Sequence, residues 1–141
     1  MVSRVTAGLP QLAATVLAIA SRERVSVEMI SQSSSMSTVC LAVADHVADR
    51  LRNALDAALM SEASPRNVRD VVVEGPIAIV SFAWSDARQS ATDTARFFDA
   101  LGRSGVNIIA IAQGAGQKRI SCCVLESDRR VAERAAIEEF R

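Results

Sequence analysis

Two glutamines close two similar apolar runs. The first run is Val25-Ser26-Val27-Glu28-Met29-Ile30-Ser31-Gln32, and the second is Val106-Asn107-Ile108-Ile109-Ala110-Ile111-Ala112-Gln113. The spacing is 81 positions both between the glutamines (113 less 32) and between the leading valines (106 less 25). A strand that ends in an amide and a polar turn offers the chemistry an α-amino acid needs. Backbone N–H groups can take its carboxylate, and carbonyl or amide oxygens can take its ammonium. If the turns of two such units meet across a sheet edge, they present Ser26, Gln32, Asn107 and Gln113 together with free backbone groups. The bland alternative is that Gln32 and Gln113 only cap the ends of strands, and the spacing does not choose between the two.

Other reactive side chains carry less. His46 stands without a nearby cluster of cysteines or acids, so it reads as a helix-terminus histidine and not a metal ligand. A Ser-His-Asp set is limited to that one histidine. Cys122 and Cys123 lie within an apolar strand, where a thiol behaves as a small hydrophobe and not a nucleophile. Adjacent strand residues point to opposite faces, so these two should not pair with each other. With Cys40 the cysteines number three, and free buried thiols fit a reducing, cytoplasmic setting. Glu138 and Glu139 read as a solvated helix face. There is no glycine-rich phosphate loop after a strand. No active site, metal or cofactor is implied.

The elements that must position the glutamines come from composition and periodicity. The chain has 141 residues, half of them apolar, enough for one domain or two small ones. Its 16 basic and 16 acidic residues cancel, which gives no support to nucleic acid or an anionic membrane as partner. No apolar run reaches the length of a membrane span. The Leu9–Ala20 stretch reads as an amphipathic helix and not a secretion signal.

Met1 to Thr6 alternates as a short strand. Pro10 suits a first helical turn, and Leu12, Val16 and Ile19 line one helix face. Val25 to Ser31 is the first core strand, followed by a hydroxyl-rich loop and a second strand, Thr38 to Val43. Asp45 opens a helix with Val47, Leu51, Leu55 and Leu59 along it. Val68 to Val73 is a further strand. Gly75-Pro76 is the sharpest punctuation, and the boundary between subdomains 1–75 and 76–141 is placed there. The order then restarts. Ile77 to Phe82 is a strand and Ser85 to Thr92 a loop. A helix follows with Ala95, Phe98 and Leu101 on its face, ending at Gly102 or Gly105. Val106 to Ala112 and Ile120 to Leu125 are strands. A last helix starting at Asp128 carries Val131, Ala135 and Phe140.

The halves therefore read βαββαβ and βαββα. The fold class is α+β, two ferredoxin-like units with antiparallel sheets and helices on one face. The second unit lacks its fourth strand. An open sheet edge is a hazard unless something fills it, either residues upstream or a partner chain.

The passage from Phe97 to Gly114 resembles the C-terminal ACT repeat of aspartokinases, and Val25 to Ser35 resembles their first ACT repeat. The form with a glutamine in both repeats is closest to the bifunctional aspartokinase–homoserine dehydrogenases. The similarity covers roughly Leu12 to Phe140. It implies an effector-sensing regulatory domain that binds lysine or threonine and feeds inhibition back to a kinase catalytic domain, in cis or trans. It also implies a homodimer built through ACT sheets, and a missing strand supplied from upstream. Matched to this sequence, the implied ligand contacts are Gln32, Gln113, Asn107 and the Ser26-Val27-Glu28 segment, with Ile30, Ile108 and Ala112 beside them on the strands. The sequence departs from the family pattern at Gln11, at Ser90-Ala91-Thr92-Asp93, at Met36 and at Ala115-Gly116-Gln117. Those changes remove hydrogen-bonding groups from the turns. The rival expectation is an interaction module that kept the ACT surface and lost the ligand.

Overall fold

Strict alternation and four-step apolar spacing resolve into seven strands and four α-helices among the described residues. In the computed structural model these are residues 2–6, 12–33, 38–61, 70–84, 90–114 and 118–141. The chain divides into two compact units, Met1–Gly75 and Pro76–Arg141.

The first unit runs β1 (Val2–Thr6), α1 (Leu12–Arg22), β2 (Val27–Gln32), β3 (Thr38–Val43), α2 (Asp45–Ser61) and β4 (Val71–Glu74). Its sheet order is β2-β3-β1-β4, antiparallel throughout. Because strand side chains alternate, β3 sends Val39, Leu41 and Val43 to one face. There they meet Leu12, Val16, Ile19 and Ala20 of α1 and Ala48, Leu51 and Leu55 of α2. The helix faces read from the sequence are therefore the buried ones, with Val47 and Leu59 only partly covered.

The second unit runs β5 (Ile77–Ala83), α3 (Ser90–Arg103), β6 (Ile108–Gln113), β7 (Arg119–Leu125), a short 3-10 turn and α4 (Arg129–Glu139). Its antiparallel sheet has three strands in the order β5-β7-β6. Ile120, Cys122 and Val124 of β7 pack against Phe97, Ala100 and Leu101 of α3 and Ala132 and Ala135 of α4. In a four-stranded unit of this topology a strand lies outside β5. Among the described residues no strand pairs with β5 on that side.

Several boundaries and faces differ from the sequence reading. β2 starts at Val27 and not Val25, because Val25 still donates its N–H to the carbonyl of Ala20 in the helix cap. Ser90 to Thr92, read as loop, form the first turn of α3. The buried face of α3 is set by Phe97 and not by Ala95, which is exposed, since burying a phenyl ring outweighs burying a methyl. Gly102 lies inside α3, and Gly105 makes the cap. On α4, Val131 faces solvent and Ala132 takes the core position. That rotation is fixed at the far end of the helix, where Phe140 stacks on Phe82 at 4.2 Å. The strand expected over Val68–Val73 is described as Val71–Glu74, with 68 and 69 outside the described residues. Pro10, Gln11, Met36 and Ala115 to Gln117 also lie outside them. No helix among the described residues is long and apolar enough to cross a membrane.

Candidate functional site

The candidate residues are placed by how each unit's first helix stops. In the first unit Val25 N–H bonds Ala20 O at 2.9 Å and Arg24 N–H bonds Ser21 O at 3.0 Å. Arg24 turns left-handed at φ 55. In the second unit Val106 N–H bonds Leu101 O at 3.1 Å and Gly105 N–H bonds Gly102 O at 3.0 Å, with Gly105 at φ 74. Both are Schellman-type stops, in which a left-handed residue lets two terminal helix carbonyls find donors. Each stop buries the next valine, Val25 or Val106, and brings the following residue, Ser26 or Asn107, to the surface at the start of a strand.

The strands that follow are the outer strands of their sheets, β2 and β6. An outer strand leaves one row of N–H and C=O groups pointing away from the sheet. Both carry a β-bulge at the same place. β2 pairs Val27 with Val43 and then Met29 with Ala42; β6 pairs Ile108 with Val124 and then Ala110 with Cys123. The extra residue is Glu28 in one and Ile109 in the other. A bulge bends the strand and re-aims the side chains around it. Beyond it, Ile30 faces Leu41 and Gln32 faces Val39, while Ile111 faces Cys122, Ala112 faces Ser121 and Gln113 faces Ile120. Every one of these pairings is repeated at the 81-residue spacing, and Ile30 and Ile111 are both 43% exposed.

The structure thus brings Ser26, Val27, Glu28, Ile30 and Gln32 onto one strand edge and Asn107, Ile108, Ala112 and Gln113 onto its counterpart. Ser26, Glu28, Ile30, Gln32, Asn107 and Gln113 are exposed, and Val27, Ile108 and Ala112 are half-buried. Each edge combines apolar side chains and a terminal amide, which suits a small zwitterion with a short side chain. The edges differ in two respects. Glu28 gives the first a carboxylate where the second has Ile109. The turn after β2 is closed by Ser33, whose N–H bonds Thr38 O at 3.1 Å and whose hydroxyl accepts from Thr38 N–H at 3.3 Å. The second edge has Gly114 at that position and so has no such hydroxyl. Sequence reasoning named Gly105 as a possible helix stop but missed Ile109 and Arg24 as parts of this arrangement. Laying the two copies over each other at 81 residues would have paired Ile109 with Glu28 and Gly105 with Arg24.

The remaining reactive groups stay apart from these edges in character. Cys122 is fully buried, and burial, with Cys123 adjacent, pushes its thiol up to about 11. It is a thiol at neutral pH and no nucleophile. None of the three cysteines is in a disulfide. His46 is exposed in the first turn of α2. Among the described residues no group of His, Cys, Asp and Glu could hold a metal ion.

Comparison with known proteins gives the family and the fold. The family model for the ACT domain matches residues 2–59 and 88–140. The bifunctional aspartokinase/homoserine dehydrogenase of Haemophilus influenzae is 29% identical over 117 residues. That match takes in 83% of this chain but 14% of the relative's length. Among solved structures, the regulatory subunit of aspartate kinase from Thermus flavus superposes with a TM-score of 0.81 at 24% identity. It covers 99% of this chain and 92% of that one. Escherichia coli aspartokinase III, solved with lysine and aspartate, gives a TM-score of 0.65 at 24% identity, covering 99% of this chain and 31% of that one.

Proposed function

The chain belongs to the ACT domain family, and from that premise we propose that it is an effector-sensing regulatory domain of an aspartokinase. Residues 1–75 form the first ACT repeat and 76–141 the second. The effector is an α-amino acid, lysine or threonine, held at the β2 and β6 edges. Ser26, Val27, Glu28, Ile30 and Gln32 serve one site, and Asn107, Ile108, Ala112 and Gln113 the other.

The observation that carries this reading is the repetition of one local geometry: a left-handed helix stop, an exposed polar residue, a bulge and a terminal glutamine, twice on outer strands. A duplicated core needs none of the last three. Glu28 adds a carboxylate that favours a cationic side chain, so lysine suits the first edge better than the second. The chain itself does no catalysis. It is a homodimer in the cytoplasm, joined through its ACT sheets, and it acts on a kinase catalytic domain in cis or trans. Ligand control requires that the effector bind one arrangement of the repeats more tightly than another.

Thermal melting with lysine, threonine, methionine or isoleucine tests the reading. A ligand that binds only the folded state raises the midpoint by mass action, worth about 2.7 kcal/mol at a hundredfold excess over Kd. The expected result is a rise with lysine or threonine that Gln32→Ala or Gln113→Ala abolishes. No rise with any amino acid at saturating concentration would favour a second reading, an ACT interaction module without a ligand. The absence of a turn hydroxyl at Gly114 is the observation that favours that alternative. A monodisperse monomer in sedimentation would remove the dimer.

A further inference from the structure

The two helix stops have one geometry but different residues. Gly105 takes its left-handed turn at φ 74 with no side chain to strain, whereas Arg24 takes the same turn at φ 55. A Cβ in that conformation costs energy that a glycine does not spend. A basic residue at a helix end ordinarily offsets such a cost by binding the last carbonyls or a neighbouring acid. At the end of α1 those places are filled. The carbonyls of Ile19, Ala20 and Ser21 accept from the N–H groups of Glu23, Val25 and Arg24. The Glu23 carbonyl accepts from the Arg50 guanidinium at 3.2 Å, and the Glu23 carboxylate pairs with Arg22 at 3.5 Å. Among the described residues no carboxylate or carbonyl pairs with the Arg24 guanidinium.

What this guanidinium has is a place beside the first edge. Arg24 comes two residues before Ser26, so their Cα atoms are at most about 7 Å apart, a distance that three methylenes and a planar head bridge. Glu28 comes two residues after Ser26, at the bulge, and it too has no ion-pair partner among the described residues. A base and an acid, both exposed, therefore flank Ser26 without pairing to each other. At the counterpart positions the second edge has Gly105 and Ile109 and carries neither charge.

We propose that Arg24 is a carboxylate-binding residue of the first edge: its guanidinium takes the α-carboxylate of the effector, in the two-bond fork that matches a carboxylate. A bound amino acid then lies with its carboxylate toward the stop of α1 and its cationic groups toward Glu28. The left-handed backbone is held in place because it carries this side chain, as strain at a binding site often is. The stop itself does not need an arginine, since Gly105 makes the same one. The two edges thus differ in kind: the first selects the α-carboxylate by charge, and the second has no charge for that purpose at this position. This inference rests on the reading of β2 as an effector edge and adds to it the residue that recognises the carboxylate.

Titration calorimetry of the whole chain with lysine and with threonine tests this, each beside its amide, lysinamide or threoninamide, which keeps the ammonium groups and lacks the carboxylate charge. The step to follow is the one that Gln32→Ala removes. Arg24→Gly should weaken that step about tenfold or more for the amino acid, while raising the melting midpoint of the effector-free chain. A merely structural arginine would not give that pair of opposite changes. Arg24→Lys keeps the charge but not the fork and should recover part of the binding. For the amide, which the parent chain should bind weakly, Arg24→Gly should change little. Arg52→Gln removes an equal charge from the exposed Arg52–Asp56 pair of α2 and should leave the step unchanged. Undiminished affinity of Arg24→Gly for the amino acid overturns the proposal while the effector reading stands. Equal weakening of amino acid and amide also overturns it, because the arginine then shapes the edge without touching the carboxylate. No binding of either amino acid to the parent chain, or binding that Gln32→Ala leaves intact, overturns it together with the effector reading of β2.

Discussion

The first unit contains no aromatic residue, while the second contains all four phenylalanines and the tryptophan. The first closes a four-stranded sheet over an aliphatic core. The second has three strands among the described residues, and its rings stack in a chain: Phe140 on Phe82 at 4.2 Å, Phe82 with Phe97 at 5.5 Å and with Trp84 at 5.9 Å. Large rings fill a core covered by one described strand fewer. Yet the two outer strands keep one register and one bulge. Ladder pairing and the apolar pattern govern the backbone, and side-chain volume is free to change as long as the space is filled. The comparison teaches that what was held constant between the copies is the edge, not the core.

The largest expected difference is at one equivalent pair. Phe97 and Val16 are 81 residues apart, and both are fully buried. Phe97→Ala should cost about 3–5 kcal/mol, and Val16→Ala about 1.6 kcal/mol for two methylene-sized groups. Denaturant unfolding followed through Trp84, which sits in the second core, should show the Phe97 change strongly and the Val16 change weakly. A shift of the Trp84 transition by Val16→Ala equal to that variant's full cost would mean the units unfold as one.

Next come the two helix stops, where the expected signs oppose each other. Gly105 is left-handed, and a Cβ added there meets nothing within 4 Å, so Gly105→Ala pays only the backbone penalty, about 1–2 kcal/mol. Arg24 already pays it, and Arg24→Gly should raise the melting temperature modestly, because relief of strain exceeds the added freedom of the unfolded chain. Shifts of the same sign in both variants would show that something other than conformation fixes Arg24.

The smallest effect is an ion-pair clamp that, among the described residues, the second unit has and the first does not. Glu139 accepts from Arg96 at 2.8 Å and from Arg103 at 2.7 Å, and the Arg96 guanidinium also lies 4.8 Å from the centre of the Phe140 ring. The equivalent positions in the first unit are Thr15, Arg22 and Ala58, which cannot repeat it. Hydrogen bonds from Arg96 and Arg103 hold the Glu139 carboxyl below its usual range. A carboxyl lowered in the folded state contributes stability that is full above its unfolded value of 4.5 and lost as pH falls through its folded one. Glu139→Gln should therefore lower the melting temperature slightly at neutral pH, with the gap to the parent closing on acidification below that value. A gap that stays constant with pH would leave the clamp no electrostatic role.

The sequence by itself determined the duplication, the order of elements and most of the buried faces. Each of these is local: alternation, four-step spacing and punctuation are written in neighbouring residues. It also picked Ser26, Gln32, Asn107 and Gln113 as edge chemistry, because a polar residue ending an apolar run stands out. Only the tertiary structure decided that β2 and β6 are outer strands, that Glu28 and Ile109 sit in bulges, and that Phe97 and not Ala95 turns into the core. These depend on which strands pair, in what register, and on which of two adjacent rings is fully buried. Such choices are made between residues far apart in the chain, and no window of neighbours contains them.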